Sequence, residues 1–290
     1  MKGKPRKNRE TYKRQPFSAG KPARQKSVDS LRERAFKKTK ERIQKKLEQR
    51  DKTIVQTVKS IDLIDKTSNL LTEQLREWYA NYFPELSRHV EDADEYLVLI
   101  TKLKSKANFT KEKIEQVVGN KGYADKIEKA CRETMGGTLK DTDLDQIVMY
   151  AESIISLREQ RTRTLEYLET VMKEEAPNIT HLIGAPIAAR LISIAGSLEK
   201  LSEFPSSTIQ VLGAEKALFA HIRQGTPSPK HGVIFGFPKL RGANKNVRGK
   251  IARKLSSKIS IAAKVDYFKG AFYADKLSKE LENEIKELIK

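Results

Sequence analysis

Apolar residues in the first half of the chain recur every three or four positions. Ile54, Val58, Ile61, Ile64, Leu71, Leu75, Trp78 and Tyr82 fall on one side of a helix, in a stretch from about Ser30 to Phe83 that contains neither proline nor glycine. The spacing predicts one long helix with a coiled-coil or hairpin seam, ended by Pro84. A matching helix is expected from about Asp143 to Glu175. Its seam of Leu144, Val148, Ala151, Ile155, Leu165, Leu168 and Met172 is interrupted near Arg158 and Thr162 and closes at Pro177. Two such helices of opposite direction make a rod, and at ~1.5 Å per residue the second spans on the order of 50 Å. A seam of this kind states that helices associate, and leaves open whether the partner lies in the same chain.

Between the two long helices, residues 85–142 read as shorter helical pieces broken by Gly119, Gly122, Gly136 and Gly137. They form a tip whose apolar face, Tyr96, Leu97, Leu99, Ile100 and Leu103, suits internal packing or another subunit. After Pro177 the pattern stays helical. Leu182 to Leu198 is the least charged long stretch, but it contains Arg190 and two glycines and is too short to span a bilayer, so it reads as a buried helical hairpin. Gly213 to Arg223 reads as a helix with Leu218 and Ile222 on one face and Lys216 and Arg223 toward solvent. Gly225, Pro227 and Pro229 stop it.

Asn246 is the candidate N-cap of the next helix. There Val247, Ile251, Leu255 and Ile259 recur every fourth residue, with Arg248, Lys250, Arg253, Lys254 and Lys258 on the flanks. A final amphipathic helix is expected from Tyr273 to Lys290, with Leu277, Leu281, Ile285 and Leu288 in one stripe. Strand alternation is limited to Gly232 to Gly236, too short to anchor a sheet. The expected fold is all-α. A basic tail over residues 1–28, rich in Lys, Arg, Ser and Gly and expected to be disordered, precedes a long antiparallel coiled-coil arm with its tip over 29–176 and a compact helical module over 177–290.

Charge adds a partner to this picture. The chain of 290 residues carries a formal net charge of +19. Residues 1–50 hold nineteen basic and five acidic side chains, and Lys216 to Lys264 holds twelve Lys or Arg with no Asp or Glu. Any one of these lysines fits an ordinary solvated surface. The acid-free run as a whole does not, because ordinary soluble faces mix both signs and the mutual repulsion of so many cations disfavours the folded state unless a polyanion neutralises it. Nucleic acid is the favoured polyanion, and an anionic membrane surface engaged by the basic tail is the rival. Cys131 is the only cysteine, so no intramolecular disulfide is possible. With an N-terminus lacking an apolar secretory segment, this points to a soluble protein of a reducing intracellular compartment.

The search for catalytic chemistry returns nothing. Gly242 to Lys250 is no Walker loop, because six residues separate Gly242 from Gly249 and Ile251 stands where a magnesium-binding Ser or Thr is required. His89, His181, His221 and His231 lack metal-ligand spacing, and no glycine-rich dinucleotide fingerprint follows a strand. No catalytic residue, metal or cofactor is expected. A nucleic-acid-modifying enzyme, which would need such a site, is the alternative class. His221 and His231 lie beside basic residues, where a ring can stack on a base or contact phosphate; either also reads as a plain surface histidine. Glu215 suits the first turn of its helix, where a carboxylate is favoured by the dipole.

Several of these stretches carry a resemblance. Gly213-Ala214-Glu215-Lys216-Ala217-Leu218-Phe219, Pro229-Lys230-His231-Gly232, Arg248-Gly249-Lys250-Ile251-Ala252-Arg253 and Ala262-Ala263-Lys264-Val265-Asp266 resemble the signature of the Nop-domain family. Its members are scaffolds of box C/D small ribonucleoproteins and of a related spliceosomal particle. The resemblance extends upstream through Leu182-Ile183-Gly184-Ala185-Pro186 and Ile194-Ala195-Gly196-Ser197-Leu198, and covers roughly residues 50–285.

It implies a non-enzymatic scaffold that grips a box C/D guide RNA at a kink-turn already bound by a small ribosomal-protein-like partner. It also implies an antiparallel arm whose tip pairs two copies into a homodimer, and a particle guiding 2′-O-methylation of ribosomal or transfer RNA with fibrillarin as the methyltransferase. Family members carry an α/β domain that docks fibrillarin where the basic tail stands here. The RNA-binding candidates are Lys216, His221, Arg223, Lys230, His231, Lys245, Arg248, Lys250, Arg253 and Lys254. Glu215 and Phe219 are the candidates for contact with the RNA-bound partner protein. The resemblance implies a cytoplasmic protein in an archaeon and a nucleolar one in a eukaryote. A spliceosomal role ranks lower, because the chain has no long lysine-rich C-terminal tail.

Overall fold

The computed structural model describes residues 32–41 and 50–289. The expected basic tail therefore lies outside the described residues, as do residues 30, 31 and 42–49 of the expected Ser30 to Phe83 helix and Lys290. Residues 32–41 are helical and lie in a different unit from the one that begins at Arg50.

The second unit begins with α1 (Asp51–Ala80), followed by the short helices α2 (Leu86–His89), α3 (Ala93–Leu103), α4 (Lys111–Val118) and α5 (Lys121–Arg132). The 35-residue α6 (Asp141–Glu175) returns alongside α1. The pair is antiparallel, since Arg158 of α6 reaches Ser68 and Thr72 of α1 while Arg161, farther along α6, reaches back to Asp65. The periodicity located α6 well, but α1 begins at Asp51 and not near Ser30, and residues 32–41 are helical in the other unit. α1 stops three residues before Phe83, and Tyr82 and Phe83 turn the chain instead of extending the helix.

Buried apolar side chains collect in two separate cores. One holds Leu75, Tyr79, Phe83, Leu144, Ile147, Ala151 and Ile154 together with the tip helices. Tyr96, Leu97, Leu99, Ile100 and Leu103 are all buried in it, so the apolar face of the tip packs within the chain. The other joins Ile54, Val58, Ile61, Leu168 and Met172 at the root of the arm to the C-terminal module. A polar waist divides them, at the interruption visible in the sequence. Arg158 donates from Nε to Ser68 Oγ (3.0 Å), from Nη2 to Thr72 Oγ1 (3.2 Å) and from Nη1 to Asp94 of α3. Arg161 pairs with Asp65 one turn further along.

The module is built from α7 (Pro177–Ile183), α8 (Ala185–Ala195), α9 (Leu198–Glu203), α10 (Ser206–Val211), α11 (Glu215–Gln224), a 3₁₀ turn (Val233–Gly236), α12 (Pro238–Arg241), α13 (Lys245–Tyr267) and α14 (Ala274–Ile289). The sequence Gly232 to Gly236 thus forms a 3₁₀ turn. Among the described residues there is no strand. Ile251, Ala252, Leu255, Ile259, Ala262 and Ala263 bury one face of α13, making it the central helix of the module. α7, α9, α10 and α14 pack against it. Leu277, Leu281 and Ile285 of α14 are buried and Leu288 is half-buried, as the stripe required.

Candidate RNA and partner interface

The N-terminal half of α13 and the segment before it form the cationic face. The helix is capped by Asn244 and not by Asn246: Asn244 has extended backbone angles (φ −63°, ψ 142°), and its carbonyl accepts from the N–H groups of Val247 (3.0 Å) and Arg248 (3.2 Å). Asn246 therefore lies inside the helix, with its side chain free to line a groove of about 720 Å³. Gln210, Ser228, Lys230, Lys250, Arg253 and Lys254 line it too.

Two glycines bring the loop of Lys230 and His231 against the end of α10. Gly232 donates its N–H to Gln210 O (2.9 Å), and a Cβ there would stand 2.0 Å from the carbonyl oxygen of Leu212. Gly213 has φ +86°, and its Cβ would fall 2.4 Å from Val233 Cγ2. Gln210 Nε2 also donates to Lys230 O (2.8 Å), fixing the backbone of Lys230 while its ammonium stays exposed. Only glycine permits this crossing of chains.

The expected site residues divide by what they already hold. Lys230, Lys250 and Arg253 are exposed and line the groove. Lys245 is exposed at the first position of α13. Arg248 is half-buried. It donates from Nε to Ala243 O (2.8 Å) and from Nη2 to Arg241 O (3.0 Å), and its Cζ lies 5.4 Å from the Phe235 ring centroid. Its first task is to hold the α12–α13 turn.

The His231 ring stacks on Phe235, with centroids 4.4 Å apart and planes 11° from parallel. Burial, then the nearby charge of Arg248, pushes its pKa below the ordinary histidine value, so the ring is neutral at physiological pH. His221 is half-buried, with Nδ1 against the carbonyl oxygen of Thr226, and so helps to close the turn after α11. Lys254 lines the groove and also lies 3.5 Å from Glu284 of α14.

α11 departs from the sequence expectation. None of its side chains is fully buried, though Leu218 is half-buried; Ile222, expected on one face with Leu218, is 69% exposed and Phe219 is 57% exposed. Lys216 and Arg223 flank them in solvent. The carboxylate of Glu215 accepts from the Gly213 N–H (2.7 Å), fastening the start of the helix to the glycine crossing. The result is a projecting helix with an apolar and cationic surface.

The sequence reading also missed Phe235, the stacking partner of His231, and the carboxylates of α14 that meet cations of the basic run. Lys258 pairs with Glu280 and Glu284, and Lys239 with Glu282. The available signal was the alignment of Lys254 and Lys258, four apart on α13, with Glu284 and Glu280, four apart on α14. Among the described residues no group of three or more His, Cys, Asp or Glu is placed to hold a metal ion, and no helix is long and apolar enough to cross a membrane.

These features define a helical module, packed against one end of an antiparallel pair of long helices, that offers a cationic groove beside a projecting amphipathic helix. The chain belongs to the Nop family: the family profile described as "snoRNA binding domain, fibrillarin" matches residues 60–289. A NOP5 family protein of Methanocaldococcus jannaschii is 50% identical over 250 residues, which cover 86% of this chain and 60% of that protein. Nucleolar protein 56 of Dictyostelium discoideum is 39% identical over 222 residues, 75% of this chain and 41% of its own length. Nucleolar protein 56 of Homo sapiens is 35% identical over 242 residues, 81% and 41% of the two. The chain thus spans between about two fifths and three fifths of the length of these relatives. Among solved structures, a fibrillarin/Nop5p complex aligns with 96% of this chain and 88% of its own chain at 29% identity, with a TM-score of 0.48.

Proposed function

We propose that this chain is a non-enzymatic RNA-binding scaffold of a box C/D small ribonucleoprotein that guides 2′-O-methylation, with fibrillarin supplying the chemistry. The observation that carries this reading is the pairing of two surfaces on one module. Lys230, Lys250 and Arg253 converge on a single groove, and the adjoining α11 keeps Phe219 and Ile222 in solvent. A groove of one sign suits phosphates, whose neutralisation supplies affinity without reading sequence. An exposed apolar stripe on an otherwise unburied helix suits a protein surface. RNA with a protein already bound to it presents both at once.

In this reading Lys216, Arg223, Lys230, Lys245, Lys250 and Arg253 face phosphates, and the neutral His231 ring, backed by Phe235, is available to a base. Phe219 and Ile222 meet the ribosomal-protein-like partner, with Glu215 holding α11 in position. Two copies pair through the arm. The buried apolar residues of the tip leave that contact to exposed side chains such as Met135, which is 90% exposed. Such a particle would work in the cytoplasm of an archaeon or the nucleolus of a eukaryote.

The test is binding to a fluorescently labelled box C/D kink-turn RNA with and without the ribosomal-protein-like partner, together with sequencing of RNA that copurifies with the chain. Tighter binding to the RNA–partner complex than to either alone, and recovery of RNAs with paired C and D boxes, are expected. Equal affinity for any RNA regardless of the partner would overturn the reading. So would methyl transfer by the purified chain in the absence of fibrillarin.

A further inference from the structure

The cations of α13 leave the helix on two flanks with different surroundings. On one, Lys250 and Arg253 face the groove, with Lys254 also in its lining. On the other, Lys258 Nζ donates to Glu280 Oε2 at 2.5 Å and stands 3.5 Å from Glu284 Oε1. Lys254 Nζ lies 3.5 Å from Glu284 Oε2, and Lys239 of α12 donates to Glu282. All three carboxylates belong to α14, and all three lysines belong to the acid-free run between Lys216 and Lys264.

We propose that α14 is an internal polyanion that bounds the RNA footprint: Glu280 and Glu284 occupy Lys258, Glu282 occupies Lys239, and both lysines are withdrawn from phosphate. This rests on the RNA-binding reading above. Lys258 has a side chain only 12% exposed and can meet a phosphate only by leaving two carboxylates. Glu284 supports the same view. Its Oε2 is buried without a hydrogen-bond partner, a placement that costs stability and is offset only by the two lysines beside it. A phosphate strand crossing onto this flank would displace these pairs and would also meet the freed carboxylates as like charges.

The consequence is selectivity. Sequence-independent affinity for RNA grows with the number of phosphates neutralised, so each lysine withdrawn weakens binding to every RNA alike. The groove cations, whose spacing is set by α13, keep their geometry. Pairing Lys239 and Lys258 internally therefore lowers the nonspecific background against which the shape of a folded RNA is recognised.

The test follows affinity against salt for the full chain with two probes, a labelled box C/D kink-turn RNA and an unstructured oligouridylate. Replacing the acids together (Glu280→Gln, Glu282→Gln, Glu284→Gln) frees Lys239 and Lys258. The slope of log affinity against log salt should steepen by roughly one to two units, at ~0.7–0.9 per added phosphate contact, with the larger relative gain in affinity on oligouridylate. Replacing the two paired lysines outside the groove (Lys239→Gln, Lys258→Gln) should leave the slope within one unit of the unmodified chain, whereas Lys230→Ala, Lys250→Ala and Arg253→Ala together should flatten it. Circular dichroism establishes that each variant is helical.

An unchanged slope in the glutamine-for-glutamate variant with intact helicity overturns the proposal. So does a loss on removing Lys239 and Lys258 as large as on removing the three groove cations Lys230, Lys250 and Arg253. An unmodified chain without salt-dependent affinity for either probe would instead remove the RNA-binding reading itself, and this inference with it.

Discussion

The carboxylate of Asp266, near the end of α13, accepts from both nitrogens of Asn178: the backbone N–H at 3.0 Å and the side-chain amide at 2.7 Å. It also accepts from the N–H of Ile179 at 2.9 Å. Asn178 in turn accepts the N–H of Tyr273 through Oδ1 at 2.6 Å. One buried polar pair thus ties the first turn of α7, directly after the arm, to α13 and to the entry of α14. Burial raises the Asp266 pKa above the usual carboxylate value, against the downward pull of its three N–H donors.

Asp266→Leu strands those donors in a dry joint and should cost roughly 3 kcal/mol or more, at ~1–3 kcal/mol per unsatisfied group. A thermal melt would show it. The pH dependence has a definite sign. Because the folded-state pKa lies above the unfolded one, ionisation of Asp266 opposes folding. Its contribution to stability is fully present below the unfolded-state value and is lost as pH rises through the folded-state value. Asp266→Asn does not titrate, so the stability of the unmodified chain relative to this variant should fall from acidic toward neutral pH. Urea denaturation over that interval measures it.

Gly232→Ala should disrupt the crossing beneath the groove, because the new methyl would stand 2.0 Å from Leu212 O. A loss on the order of 3 kcal/mol is expected, together with weaker RNA binding, since the backbone of Lys230 is held by the same crossing. Differential scanning calorimetry would detect the first. A stable variant with unchanged melting would show that the loop does not lie against α10.

Arg248 and Arg253 stand five residues apart and should respond differently. Arg253→Ala should leave stability within about 0.5 kcal/mol and reduce the salt slope of RNA binding by about one unit, as expected for one lost phosphate contact. Arg248→Ala removes two hydrogen bonds to backbone carbonyls and should cost roughly 1–3 kcal/mol of stability, at ~0.5–1.5 kcal/mol each, with affinity falling while the slope holds. Paired melts and salt titrations separate the two roles.

Phe219→Ala with Ile222→Ala should leave the melting temperature nearly unchanged, because neither side chain is buried. Recruitment to RNA bound by the ribosomal-protein-like partner should fall by tenfold or more, from the apolar area lost to the contact, at ~25 cal/mol per Å². Anisotropy with the preassembled complex reads this directly. A large drop in melting temperature would mean that α11 packs against the module.

The arm was legible because a helix seam writes itself into the sequence at a period of three to four, and even its interruption at Arg158 was visible there. The position of the cap was not. Asn244 and Asn246 are equally good capping residues, and only the backbone angles at Asn244 decide between them. Ile222 was misread for a related reason. Amphipathic spacing says which side chains share a face, and Leu218 and Ile222 do, but not whether anything lies against that face. The acid-free run was a true property of the sequence that misled in space, since the acids meeting Lys239, Lys254 and Lys258 come from residues about 20 to 40 positions later. Arg248 looked like any other cation of the run until its carbonyl partners were seen.

The polar waist at Ser68, Thr72 and Arg158 separates two hydrophobic cores strung on shared helices. Among the described residues no buried apolar side chain belongs to both cores. Injury to the tip, from a lost Leu97 or Ile147, should therefore stay local, leaving the groove and α11 native. Evolution can accordingly redesign the tip and the module at separate rates, as two inheritable parts joined by one hydrophilic seam.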